Sequence, residues 1–128
     1  MNLSVLHEKI AILKGSPDKN IPSWIFDNKK FISVTYTEEE LSVVCLENVI
    51  PDNHEMVVEK GWRCIKVDGP LDFSLTGVLT SLASPLAEAS ISIFAVSTYN
   101  TDYLLIKEHS LEKALEVLTK DGHNIRGE

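Results

Sequence analysis

Two short stretches of this 128-residue chain carry groups suited to holding a small charged molecule. The first is Gly69-Pro70-Leu71-Asp72-Phe73-Ser74-Leu75-Thr76-Gly77, which leads from a strand pattern into a helix pattern. Amides of a first helical turn lack partners within the helix and lie at the positive end of its dipole, so they can receive a carboxylate. Asp72, Phe73, Ser74, Leu75 and Thr76 are the candidate binding residues here, partly through their backbone. Gly77 removes a side chain where backbone and ligand can approach closely. The second stretch supplies Ser97, Thr98, Tyr99 and Asp102 at a strand end and in the turn after it. Its hydroxyls and carboxylate can accept from an ammonium group. Each feature also has a plainer reading. Asp72 and Ser74 can serve as helix caps, Asp102 as an ordinary turn residue, and Gly69 and Gly77 as turn and packing positions. Residues 69–77 are no Walker loop, because no Gly-Lys-Ser/Thr follows.

Nothing else in the chain assembles into a catalytic motif. There is no Gly-x-Ser-x-Gly elbow and no carboxylate pair in an apolar setting, so the expectation is a protein that is not an enzyme. Glu38-Glu39-Glu40 reads as a solvated turn. His7, His54, His109 and His123 are scattered, which argues against a zinc site, and no cofactor is expected. Cys45 and Cys64 read as buried reduced thiols, and Trp24 and Trp62 as core or interface anchors. Twelve Lys and Arg against nineteen Asp and Glu give a net charge of −7, a field that repels nucleic acid and anionic membranes. No apolar run approaches the roughly 18 residues of a membrane span. The first residues show no basic segment followed by an apolar one, so a cytoplasmic protein is expected.

The elements that must position the two stretches follow from hydrophobic periodicity. Trp62 to Val67 alternates as a half-buried strand, ended by Gly69-Pro70. Leu75, Val78, Leu79, Leu82 and Leu86 mark an amphipathic helix that Pro85 should kink or loosen, with Asp72 or Ser74 as its cap. Ile91 to Ser97 and Tyr103 to Lys107 form a hairpin around Tyr99-Asn100-Thr101-Asp102. Ser110 is placed to cap a second helix bearing Leu111, Ala114, Leu115 and Leu118, with Gly122 closing it and 123–126 as an edge strand. That order is βαββαβ, an α+β ferredoxin-like fold with antiparallel sheet and helices on one face. Earlier in the chain, Leu3 to Leu13 alternates as a strand, with a helix as the alternative across LHEKIAILK. Residues 15–28 read mostly as loop, and 31–36 and 41–46 as strands. FISVTYTEEELSVV echoes ISIFAVSTYNTDYLLI as strand, polar turn, strand, which suggests two related modules.

Residues 69–77, Pro85-Leu86-Ala87 and 93–103 resemble the ACT domains of small stand-alone bacterial proteins with two ACT-like modules. This group is related to the regulatory ACT modules of aspartate kinases and to tandem-ACT arginine sensors. The resemblance is strong over 61–123 and extends to Glu40-Leu41-Ser42-Val43-Val44-Cys45. It implies two ACT-like modules, a degenerate one at 1–60 and a C-terminal ACT domain at 61–128. It further implies side-by-side pairing of modules, a homodimer included, and a small ligand, usually an amino acid, where a strand–helix loop of one module faces a strand of the other. The two stretches above then supply one end for each charge of a zwitterion. The arginine sensors place an acidic residue where this chain has Leu75, so a neutral or apolar amino acid is implied. The expected function is non-catalytic, regulatory amino-acid binding, with a dimerisation or interaction module holding a vestigial pocket as the alternative.

Overall fold

A computed structural model describes residues 1–72 and 76–127. The chain forms two compact units, one of residues Glu8–Trp62 and one of Met1–His7 with Arg63–Glu128. The apolar run from Leu3 to Leu13 is therefore two strands rather than one, β1 (Asn2–Val5) and β2 (Ile10–Gly15), serving different units. Its alternation breaks at His7-Glu8-Lys9, where three polar residues in succession leave no apolar face to bury.

In the unit Glu8–Trp62, β2 is followed by a 3-10 turn (Ser23–Asp27), β3 (Ser33–Tyr36), β4 (Leu41–Leu46), a second 3-10 turn (Glu47–Val49) and the first residues of β5 (Val57–Val67). The strand order is β3-β4-β2-β5, with antiparallel neighbours throughout. This is ferredoxin-like strand order with a 3-10 turn where each helix would stand. Gly15, Pro17, Asn20 and Pro22 interrupt the first of these connections and leave no room for an amphipathic helix. Residues 15–28 are thus not simply loop: Ile25, on the 3-10 turn, is fully buried with Ala11, Leu13, Leu41, Val43 and Cys45.

The other unit continues β5 into α1 (Val78–Glu88), β6 (Phe94–Ser97), β7 (Asp102–Lys107), α2 (Glu108–Lys120) and β8 (Asn124–Gly127). This is the βαββαβ order read from periodicity. Its strands run β6-β7-β5-β1-β8, so β1 is inserted between β5, to which it is antiparallel, and β8, to which it is parallel. Alternate residues of three strands (Leu3, Val5, Ile65, Val67, Leu104, Ile106) meet Leu82 and Leu86 of α1 and Leu111, Ala114 and Leu118 of α2. Both helices accordingly cover one face. Among the described residues, no helix is long and apolar enough to cross a membrane.

Three local expectations are corrected. Helix α1 starts at Val78, its N-cap is Gly77 in the left-handed region (φ 76°), and no side chain among the described residues caps it, so Asp72 is not the cap. Ser74 and Leu75 lie outside the described residues. A Cβ on Gly77 would meet nothing, so its backbone angle rather than close approach calls for glycine. Helix α2 starts directly at the end of β7, with Lys107 at the N-cap, which places Ser110 inside the first turn, hydrogen-bonded to His109 Nδ1 instead of capping. Strand β6 begins at Phe94 rather than Ile91, because the Ile91 amide is already spent on the Leu86 carbonyl at the end of α1. Pro85 sits within α1, which nevertheless continues to Glu88.

Cys45 and Cys64 are free and buried, as read from the sequence. Burial pushes the Cys45 thiol up to about 11 and the Cys64 thiol up to about 12. Since the thiolate is the reactive form, native protein at pH 8 should give essentially no prompt colour with an aromatic disulfide reagent. Denatured protein should titrate for both thiols. Fast native reaction would contradict this burial.

Candidate functional site

Strand β5 ends at Val67, and the residues after it are held at several points. The Asp68 amide donates to Asn2 O, and its carboxylate accepts from Ser4 Oγ at 2.7 Å and Arg126 Nη2 at 2.6 Å. The Ser4 hydrogen bond, with help from Arg126, holds the Asp68 carboxyl below the usual aspartate value. The chain then turns against the hairpin loop between β6 and β7. Gly69 has no side chain to spare, because a Cβ there would lie 3.1 Å from Asn100 O and 3.2 Å from Thr101 Cβ. Leu71 N donates to Asn100 O at 2.6 Å. Thr101 is buried, and its Oγ1 donates to Val67 O at 2.6 Å. Thr98 N donates to Thr101 O at 2.8 Å and closes the turn.

These bonds bring the two stretches together around a cleft of about 240 Å³. Leu71, Asp72 and Val78 line one side, and residues 97–102 the other. Ser97 Oγ donates to Asp102 Oδ1 at 2.6 Å, which fixes the carboxylate and leaves Oδ2 without a partner among the described residues. Val78, the first residue of α1, lines the cleft, so the first-turn amides begin there, with no side-chain cap among the described residues. The lining therefore includes an electropositive helix start, the exposed carboxylate of Asp72 and the carboxylate held by Ser97.

Of the expected site residues, Asp72, Ser97, Thr98, Tyr99 and Asp102 line the cleft. Tyr99 is 80% exposed, at its rim. Thr76 is exposed and not part of the lining. Phe73, Ser74 and Leu75 lie outside the described residues. Leu71, Val78, Asn100 and Thr101 were not singled out as binding residues; the Asn100-Thr101 pair carried a turn signal only, and nothing local shows that a turn threonine reaches a carbonyl 34 positions away. Both walls belong to the same unit, so this cleft forms within one module rather than across a seam between two.

Thr101→Val keeps the shape and removes the donor. Leaving the Val67 carbonyl short of a buried partner should cost about 1–2 kcal/mol, read as a lower urea midpoint with an unchanged slope. An unchanged midpoint would mean that the hydroxyl does not tie the turn to β5.

The family model of the ACT domain matches residues 57–120, half of the chain and all of the cleft. The chain belongs to the ACT-domain family. A second family model, describing an N-terminal domain, matches residues 8–53. The crystal structure of protein Atu0741 from Agrobacterium tumefaciens superposes with a TM-score of 0.90 at 39% identity, covering 99% of this chain and 92% of that one. The ligand-free regulatory subunit of aspartate kinase from Thermus thermophilus superposes at 0.66 with 13% identity, over 94% and 96% of the two chains, which shows a shared fold. The human cytosolic arginine sensor for mTORC1 subunit 1 is 38% identical over 60 residues, 46% of this chain. This ACT protein spans 18% of that sensor's length. The resemblance to ACT domains read from residues 69–103 is thus shown at the level of the family.

Proposed function

We propose that this ACT protein is a non-catalytic regulator that binds a free amino acid in the cleft between Leu71-Asp72 and residues 97–102. The observation that carries this reading is that the start of α1, with glycine at its N-cap, and a carboxylate fixed by Ser97 line one cleft. A zwitterion presents the complementary pair, carboxylate to the amides and ammonium to Asp102. The relative named as an arginine sensor gives the ligand class precedent, and Leu75, in place of the acidic residue of the arginine sensors, favours a neutral or apolar side chain. The cleft is open, and a second ACT module, contributed by another copy in a cytoplasmic homodimer, would close over the ligand. Two arrangements of the pair with unequal affinity then give regulation.

Thermal unfolding with each of the twenty amino acids tests it. Ligand at 100 times its Kd adds about 2.7 kcal/mol, several degrees in Tm for a chain of this length. Asp102→Ala should remove that shift while leaving the ligand-free Tm nearly unchanged. Silence from all twenty, together with a dimer mass by light scattering that no ligand alters, would replace this reading with a pure dimerisation module.

A further inference from the structure

Strand β3 is the outer strand of the unit Glu8–Trp62. Strand β4 pairs along one side of it, and among the described residues no strand pairs along the other. The backbone groups on that open side follow from the ladder. The Thr37 amide donates to Glu40 O, so these two residues are a hydrogen-bonded pair, and antiparallel alternation makes Thr35–Ser42 the next one. The N–H and C=O of Val34 and Tyr36 therefore point away from β4. Ser33-Val34-Thr35-Tyr36 holds no charge and no proline, two of the features that keep an edge strand single. Val34 packs partly buried against the core of the unit, whereas Tyr36, two residues on along the same face, is 48% exposed. Charge stands at the two ends instead. Lys29 and Lys30 precede the strand, Glu38, Glu39 and Glu40 follow it, and of these five only Glu40 is half-buried.

We propose that the open side of β3 is an interface for a second copy of this chain, whose own β3 adds antiparallel about a twofold axis. The register that bonds both outward residues is centred on Thr35, where Val34 of each copy pairs with Tyr36 of the other. That register makes two aromatic–β-branched cross-strand pairs and covers the exposed tyrosines. Charge complementarity selects the occupant. The same register brings Lys29 and Lys30 of one copy beside Glu38–Glu40 of the other, twice by symmetry. Parallel addition would set lysine against lysine and glutamate against glutamate, and is disfavoured. Strand β6, outermost in the other unit, is flanked by uncharged residues from 89 to 101, so charge picks no partner there. The pairing uses only the unit Glu8–Trp62 and needs no ligand, so it stands whether or not the amino-acid cleft binds.

Sedimentation equilibrium of the full chain tests it. A monomer–dimer equilibrium is expected that tightens as salt falls, because the charges are exposed. Hydrogen exchange at the Val34 and Tyr36 amides should slow as protein concentration rises. The outward amides of β6, Ala95 and Ser97, should not respond. Lys29→Glu with Lys30→Glu leaves only acidic flanks, and Glu38→Lys with Glu39→Lys leaves mostly basic ones. Each double variant should self-associate at least about tenfold more weakly, and an equimolar mixture of the two should restore a dimer. Lys30 also pairs with Glu8, so Lys29→Glu alone reads the same change should the first double variant fold poorly. Tyr36→Pro removes an outward donor without touching the ladder to β4 and should also be monomeric. A parent chain that stays monomeric up to about 1 mM would leave this edge to a strand of another protein and overturn the proposal. It is equally overturned by a dimer that both charge reversals leave unchanged, by folded reversed variants that do not pair on mixing, or by exchange at Val34 and Tyr36 that ignores concentration.

Discussion

Leu86→Ala is expected to lower stability by about 3 kcal/mol and Tm by roughly 10 °C. Leu86 is fully buried near the end of α1, in the core with Leu82, Ile91, Leu104 and Leu118. Its backbone closes the helix as well. Ile91 N donates to Leu86 O and Ser90 N to Ala87 O, while Ser90 adopts a left-handed φ of 61°. That pattern is a Schellman closure with serine where glycine is preferred, and the apolar contact of Leu86 with Ile91 holds it against the cost of that angle. Pro85 weakens the ladder further, since it cannot donate to the carbonyl one turn back. The last turn of α1 therefore depends on side-chain packing more than on its own hydrogen bonds. Truncation removes that packing and leaves a cavity, a combination that costs about 2–5 kcal/mol in cores generally. Urea unfolding followed by circular dichroism reads the loss, with Leu86→Met as the volume-conserving control expected below about 1.5 kcal/mol. A cost under 1 kcal/mol for Leu86→Ala would show that the end of the helix is not anchored through this side chain.

Local sequence disclosed the second unit and obscured the first, for reasons visible in single residues. Leu111, Ala114, Leu115 and Leu118 recur at helical spacing before Gly122, and α2 ends as expected, with His123 N donating to Leu118 O and Gly122 at a positive φ. Its start was misplaced because Ser110 is a good cap by type, whereas β7 passes into α2 at Lys107 with no loop in which a cap could sit. The insertion of β1 beside β8 has no local signal at all. Asn2 pairs with Asn124 and Leu3 with Ile125, partners at opposite ends of the chain, and register of that kind is set by tertiary packing. The echo between the two strand–turn–strand segments was more informative than its residues promised. The β3–β4 and β6–β7 segments both form antiparallel hairpins, one in each unit. The candidate cleft was legible in part, because Ser97, Thr98 and Asp102 declare their chemistry by type. Leu71 and Thr101 do not, since their contribution is a hydrogen bond to a distant part of the chain. A cavity in the unit Glu8–Trp62, around Trp24 and His54, lay hidden for the same reason. Its walls come from three separated segments, and none carries a motif.

Ile25→Ala should cost about as much as Leu86→Ala, although it alters an element of only five residues. The 3-10 turn Ser23–Asp27 has no side-chain cap, and its Ile25 N–Pro22 O bond is long at 3.3 Å. Such a turn has too few bonds to persist alone. Its one fully buried side chain is Ile25, which packs in the core with Leu13, Leu41 and Val43, with Trp24 partly buried against the same core, while its neighbour Phe26 is 47% exposed. In this unit Ile25, flanked by Ile21 and Trp24, packs on the core, the part that a helical stripe plays in the other. Losing it should cost about 3 kcal/mol and release Trp24, which would shift the tryptophan emission to the red before the main urea transition. Phe26→Ala, one residue away, should stay within about 0.5 kcal/mol of the parent. The contrast between the two variants is the decisive reading. Equal effects would mean that the turn is held by its backbone, and Ile25 would then be only one core contact among many rather than the anchor that stands in for a helix.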